Sequence, residues 1–308
     1  MNKWPAILLT VLAGVLAGAE NLTVNCTTYP VWLLTREITA GVKDVRTELM
    51  IPAGTGCPHE YVLTPADMRK LGAKNLIVVR NGLGLDDFVL RPLEKMNPKA
   101  PVIDACAGLA VLHSECGHDH HHGHDDHDGH DEHHHHEHVN AHLFASPDTA
   151  LGMVGNITGG LCKADPANAE EYRKNAAKFG AELSRLVREA EALKPAVKGK
   201  AVAVQHGVFD YLARALGLTV AAEIRGEGTA PSAAEMRKQV KILRDQRVRV
   251  IFTEPQYSAH TASALARECG IPICQLDPLA SGPSDPPRGY YSRMMRENLE
   301  KIRSVLSK

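Results

Sequence analysis

Aromatic side chains are scarce in this chain of 308 residues: two Trp, five Phe and seven Tyr make up 5% of it. Charge of the two signs balances to a formal −1, and no basic stripe or aromatic-rich basic patch occurs. The electrostatic footprint of a nucleic-acid-binding protein is missing, and nucleic acid is set aside as a partner. Long hydrophobic runs are missing as well. Outside residues 6–16, no apolar stretch approaches the roughly eighteen residues of a spanning helix, so none is expected. No C-x-x-C pair exists, which counts against a cysteine-rich zinc site despite seven cysteines.

The first residues carry Lys3, the apolar run 6–16 and then Ala17-Gly18-Ala19, a small-x-small site. This reads as a secretory signal peptide over 1–19, with a mature protein that is periplasmic. The pair Val24-Asn25 ahead of Cys26 lacks the small residue of a lipid-anchoring site, so an unanchored protein is expected. In an oxidising compartment Cys26, Cys57, Cys106, Cys116, Cys162, Cys269 and Cys274 permit up to three disulfides, whose pairing the spacing does not reveal.

What the chain has in excess is histidine, in one place. Thirteen of its 17 histidines fall within residues 113–138, reading HSECGHDHHHGHDDHDGHDEHHHHEH, among eight carboxylates and three glycines. Such a segment cannot enter a core and is expected to be a surface loop. Neutral imidazole is the commonest protein ligand for zinc, copper and nickel, and neighbouring carboxylates offset the cation's charge. A merely soluble insert or a tag is the competing account, but a tag sits at a terminus. His118, His120, His122, His124, His133 and His135 are taken as accessory, weaker metal ligands.

Along the rest of the chain, short β-branched runs alternate with helical periods. Strands are expected at 22–28, 48–51, 75–79 and 101–104, then at 201–205, 218–224, 248–253 and 271–276. Thr64-Pro65-Ala66-Asp67 is a helix start, and Asp165-Pro166 opens a long helix over 167–193, about 40 Å in length, which Pro195 should stop. The pattern implies an α/β protein of two lobes, each a parallel sheet wound with helices, joined by one long rigid helix. Its parts are an N-terminal lobe at 20–162, a linking helix at 163–195 and a C-terminal lobe at 196–308. Each lobe is expected to have its own core.

Ligands in such folds gather beyond the carboxyl ends of strands. Four groups stand at such places: His59, His142, His206 and Asp277, two from each lobe. Three imidazoles and a carboxylate suit four-coordinate Zn2+. Each taken alone is weak, because a solitary histidine is more often a hydrogen-bonded structural residue and Asp277 before Pro278 serves equally as a turn residue.

The segments PHEYVLTPADMRKL at 58–71, NLIVVRNGLGLDDFV at 75–89, AHLFASP at 141–147, DPANAEEYRKNAAKF at 165–179, HGVFDYLARALGL at 206–218, TEPQYS at 253–258 and LDPL at 276–279 occur in an order that identifies a family. Over essentially the whole mature chain the sequence resembles the solute-binding proteins of zinc-type ABC importers, a group with manganese-binding and adhesin-like relatives. The resemblance implies metal ligation by His59, His142, His206 and Asp277, with Glu60 as an alternative carboxylate. Manganese-selective members tend to carry a carboxylate where His206 stands, so the imidazole favours zinc. The residues ahead of His142, Asn140-Ala141, depart from the acidic-proline entry common in the family. The expected role is a monomeric, non-enzymatic carrier that delivers Zn2+ to an ABC permease; the composition of the histidine-rich loop adds a periplasmic zinc chaperone as a second expected partner. Rival readings are a periplasmic zinc hydrolase, a histidine-rich buffering protein and a manganese or other divalent-metal carrier of the same family.

Overall fold

A computed structural model of the chain describes residues 21–56, 58, 61–114, 138–224 and 231–307. The signal-peptide segment 1–19, Cys57, His59, Glu60, the loop at 225–230 and the histidine-rich residues 115–137 lie outside the described residues.

The N-terminal lobe runs β1 (Leu22–Cys26), α1 (Tyr29–Ile38), β2 (Val45–Leu49), α2 (Pro65–Leu71), β3 (Leu76–Arg80), α3 (Leu90–Met96) and β4 (Val102–Asp104). Its four strands are parallel in the order β2-β1-β3-β4. A short antiparallel ribbon follows, β5 (His113–Ser114) on β6 (His138–Val139), framing the two ends of the histidine-rich stretch. Two helices, α4 (Pro147–Ala164) and α5 (Ala169–Val197), lead to the second lobe. That lobe runs β7 (Ala201–Val204), α6 (Asp210–Leu216), β8 (Thr219–Glu223), α7 (Ala233–Asp245), β9 (Ile251–Thr253), α8 (His260–Cys269), β10 (Ile273–Gln275) and α9 (Tyr290–Leu306). Its sheet is also parallel, in the order β10-β9-β7-β8. The expected class, two wound parallel sheets bridged by a long helix, is the observed one. No helix among the described residues is long and apolar enough to cross a membrane.

Local chemistry explains the helix starts. Thr64 and Ser232 each close a capping box with the carboxylate three residues on, Asp67 and Glu235, which satisfies exposed donors of the first turn. The helix α5 begins later than expected, because Pro166–Asn168 first forms a tight 3-10 turn. It also continues through Pro195 to Val197, at 29 residues and about 44 Å. A proline removes only one backbone donor, and this close to the end the burial of Leu193 and Val197 outweighs the missing bond.

The apolar face of α5 carries Tyr172, Phe179, Leu183, Leu186, Ala190, Leu193 and Val197, a three-and-four spacing that stays on one side of the helix. Against it pack α1 and α4 of the N-terminal side and α6 and α9 of the C-terminal lobe. The expectation of a separate core in each lobe is corrected here: one hydrophobic cluster runs from Val24 and Ile77 through α5 to Val204 and Phe252. Smaller clusters line only the outer sheet faces, around Leu71 and Val89 in one lobe and Leu243 and Leu265 in the other. Polar ties reinforce the junction. Tyr29 donates to the Pro283 carbonyl at 3.1 Å, Arg36 to Pro286 at 2.8 Å, and Tyr291 to Phe144 at 2.7 Å.

The disulfide expectation is also corrected for the described cysteines. Cys26, Cys106, Cys162, Cys269 and Cys274 are all free thiols. Cys26 and Cys106 are packed in the core as small apolar groups, and burial pushes the Cys26 thiol up to about 12.

A tight helix-on-sheet contact gives the first prediction. A methyl group on Gly160 of α4 would lie 2.6 Å from Ile103 on β4, whose branched side chain is itself buried. Alanine gains about 1 kcal/mol of helix propensity over glycine, whereas overpacking costs about 1–3 kcal/mol. Gly160→Ala is therefore expected to lower the thermal midpoint by a few degrees, and an unchanged or raised midpoint would contradict the packing account.

Candidate metal centre

The site is built where strand ends of the two lobes approach one another. In the N-terminal lobe, Asn81 follows β3 directly, and its amide donates to the Ala141 carbonyl at 3.0 Å, fixing the backbone just before His142. Asn81 is held in turn by Asp86, a fully buried carboxylate that accepts from the Asn81 N–H at 2.6 Å, the Gly82 N–H at 2.9 Å and the Thr27 hydroxyl at 2.5 Å. Burial holds the Asp86 carboxyl above its ordinary range against these donors. Gly82 is required in this turn: its φ is +87°, and any β-carbon would collide with the Asp104 carboxylate.

In the C-terminal lobe, three neighbouring strands deliver polar residues at the same sheet edge. His206 comes two residues after β7, Glu254 one residue after β9 and Asp277 two residues after β10. Gln205 locks the middle loop, donating to the Ser258 carbonyl at 2.7 Å and accepting from the Glu254 N–H at 3.1 Å.

His142 and His206 meet. Their ring centroids are 4.7 Å apart with the planes 81° from parallel. The edge of Phe144 closes on His142 at 5.7 Å between centroids, and Tyr257 stands 6.3 Å from His206, so both imidazoles have aromatic walls. His142 is buried, and its Nδ1 lies 2.8 Å from Asn140 Oδ1. An amide oxygen can only accept, so Nδ1 carries the proton and Nε2 the lone pair. The Nδ1 of His206 faces the fully buried Glu254 carboxylate at 3.7 Å, longer than a direct hydrogen bond but close enough to favour the same tautomer. Each ring therefore turns Nδ1 toward an oxygen of a neighbouring side chain.

Asp277 is held differently. Its Oδ1 accepts from the Leu279 N–H at 2.8 Å, and Asn298 brackets its backbone with bonds of 2.9 and 2.7 Å. Burial raises its carboxyl above the ordinary range, while the Leu279 donor and Lys301 act the other way. Among the described residues, no three His, Cys, Asp or Glu side chains form a group that could hold a metal ion. His59, Glu60 and the accessory histidines His118, His120, His122, His124, His133 and His135 lie outside those residues.

Sequence reasoning did not assign roles to Glu254, Asn81 or Asp210. Glu254 was within reach of it, since the strand-end rule that selects His206 selects Glu254 equally. Asp210 lies at the start of α6 and accepts from Asn140 Nδ2 at 2.9 Å.

Two parallel-sheet lobes share a common helical spine, and the loops that carry His142 and His206 meet between them. The chain belongs to the ZnuA family, described as zinc-uptake complex component A, periplasmic, whose model matches residues 24–305. The high-affinity zinc uptake system protein ZnuA of Bacillus subtilis is 30% identical over 292 residues, covering 93% of this chain and 88% of that protein. Zinc-binding protein AdcA of Streptococcus pyogenes is 29% identical over 305 residues, 96% of this chain, which spans only 58% of AdcA. Among solved structures, the solute-binding protein FpvC of Pseudomonas aeruginosa in complex with Mn2+ superposes with a TM-score of 0.76 at 29% identity, covering 93% of this chain and 98% of FpvC. The Zn(II)-bound ZnuA-like domain of Streptococcus pneumoniae AdcA gives 0.74 at 25% identity, covering 94% and 100%.

Asp210 generates a pH prediction. Burial, joined by the neighbouring Glu223 charge, raises its carboxyl to about 6 against the pull of the Asn140 hydrogen bond. A carboxyl raised on folding destabilises the native state while it is charged. The penalty is fully present above about pH 6, relieved as pH falls through that value, and gone below the ordinary carboxylate value of about 3.9. Asp210→Asn keeps an oxygen to accept from Asn140, so it is expected to raise the thermal midpoint at pH 7.5 and to lose most of that advantage by pH 4.5. A gain that is equal or larger at pH 4.5 would contradict the assignment.

Proposed function

We propose that this chain is the periplasmic metal-capturing component of a zinc ABC importer, taking Zn2+ between its lobes and handing it to the membrane permease. The observation that carries the reading is the pair of imidazoles, one from each lobe, with rings 4.7 Å apart and outer nitrogens turned toward Asn140 and Glu254. Family membership and the zinc-uptake names of its relatives support the same conclusion. His59, with Asp277 or Glu60 as the carboxylate, would complete a tetrahedral set, a donor chemistry suited to zinc. Zinc here is cargo, and a filled tetrahedron serves binding rather than hydrolysis.

Neighbouring structures hold Mn2+ and Ni2+, so selectivity belongs in the test. Competition titration of the full chain is expected to find one tight zinc site that Mn2+ displaces poorly. His142→Ala and His206→Ala should each weaken it by more than the roughly 10–100-fold typical of an outer-shell change. A tight site that survives both substitutions, or a preference for Mn2+, would defeat the proposal.

The composition of residues 113–138 supports a second, weaker mode of capture at His118, His120, His122, His124, His133 and His135, with a periplasmic zinc chaperone as donor. Removal of residues 115–137 is expected to leave the tight site intact while eliminating additional zinc equivalents in the same titration. Unchanged stoichiometry would reject the accessory role.

A further inference from the structure

Asn140 connects the two imidazole-bearing loops through a single side chain. It is a buried residue that enters from β6, two positions before His142. Its Oδ1 accepts from the His142 backbone N–H at 3.0 Å and from the His142 ring at 2.8 Å. Its Nδ2 donates to the Gly207 carbonyl at 2.7 Å and to the Asp210 carboxylate at 2.9 Å. All four hydrogen-bonding positions of the amide are used. The orientation of the amide follows from its partners, because a backbone N–H only donates and a carbonyl only accepts. The backbone of Asn140 is equally fixed: its N–H donates to the Leu112 carbonyl at 2.8 Å, and its carbonyl accepts from the Tyr211 hydroxyl at 2.6 Å. Tyr211 stands on α6 of the other lobe, and its hydroxyl also accepts from the Leu112 N–H at 3.0 Å.

We infer that Asn140 is a positioning residue that couples metal capture by His142 to attachment of the C-terminal lobe at Gly207, the residue after His206. The inference rests on the reading of these histidines as zinc ligands. The chemistry explains why an amide stands here. A carboxylate would accept from His142 as well and, being charged, would make the imidazole a stronger ligand. It could not donate to Gly207, and its charge would face Asp210 at hydrogen-bond distance. The acceptor half of Asn140 sets the tautomer of one ligand, and the donor half joins that ligand to the loop that carries the second. Release of the ion would then require breaking the Asn140 contacts to Gly207 and Asp210.

The two halves can be separated by substitution. Zinc affinity by competition and zinc release to a chelator by stopped flow would be measured for the wild type, Asn140→Ala, Asn140→Asp and the double variant Asn140→Asp with Asp210→Asn. Co2+ absorption bands would report ligand geometry. Both single variants are expected to bind roughly 10–100-fold more weakly and release faster. The double variant should recover the part of the loss that comes from the paired carboxylates, because an amide at 210 can donate to the carboxylate placed at 140, yet stay weaker and faster-releasing than the wild type, because nothing then donates to Gly207. Asn140→Asp binding as tightly as the wild type or more tightly would show that only the acceptor half matters and would overturn the inference. Full wild-type affinity and release in the double variant would overturn it as well, because the Gly207 contact would then be dispensable. Should the charged single variant fold poorly, wild-type affinity and release in Asn140→Ala would overturn it independently. A wild type without a tight site would instead refute the ligand assignment, a separate outcome.

Discussion

Burial of one apolar stripe along α5 governs the arrangement of everything else. Leu183, Leu186, Ala190 and Leu193 are almost wholly removed from water, and the cluster they belong to includes residues of both sheets. At roughly 1.5–3 kcal/mol for each large apolar side chain buried, separating the lobes along this seam would expose far more apolar surface than the net stability of a domain of this size could offset. The lobes are consequently held with their strand ends facing. The added ties from Tyr29, Arg36 and Tyr291 bind the segment around residues 283–291 to the opposite lobe. Motion that admits or releases an ion therefore falls to the loops that carry the ligands, and large swings of the lobes are disfavoured.

Within that fixed frame, the proposed metal centre depends on the partners of its two imidazoles. The paired imidazoles are placed by different means. His142 is held by the chain of Asp86, Asn81 and the Ala141 carbonyl on one side and by Asn140 on the other. His206 is held by the edge of the C-terminal sheet, where Gln205 and Glu254 brace the adjoining strand end. Both devices turn Nδ1 of the ring toward an oxygen, the orientation that the proposed site would need before any ion arrives.

Much of this was legible in the sequence, for identifiable reasons. Alternating β-branched strands and the helix start at Thr64-Pro65-Ala66-Asp67 are local signals that tertiary packing did not override. The helix α4 escaped because Gly152, Gly155, Gly159 and Gly160 blur its period; two of them allow close packing against Leu109 and Ile103. The position of Pro195 misled because proline was weighed without the burial of the residues around it. The shared core was hidden because no local pattern tells which helix face meets which sheet. The strand-end rule selected His142 and His206, which the structure brings together, whereas Asn140 and Asp86 act through hydrogen bonds between distant segments, which spacing along the chain does not encode.

The central claim is that His142 and His206, delivered by different lobes, bind one ion through their Nε2 atoms. Crystals of the zinc-loaded protein, with anomalous scattering recorded on both sides of the zinc edge, test it most directly. The account predicts a single strong peak at about 2.0–2.1 Å from Nε2 of both rings. A peak elsewhere, or ligation through Nδ1, would contradict it.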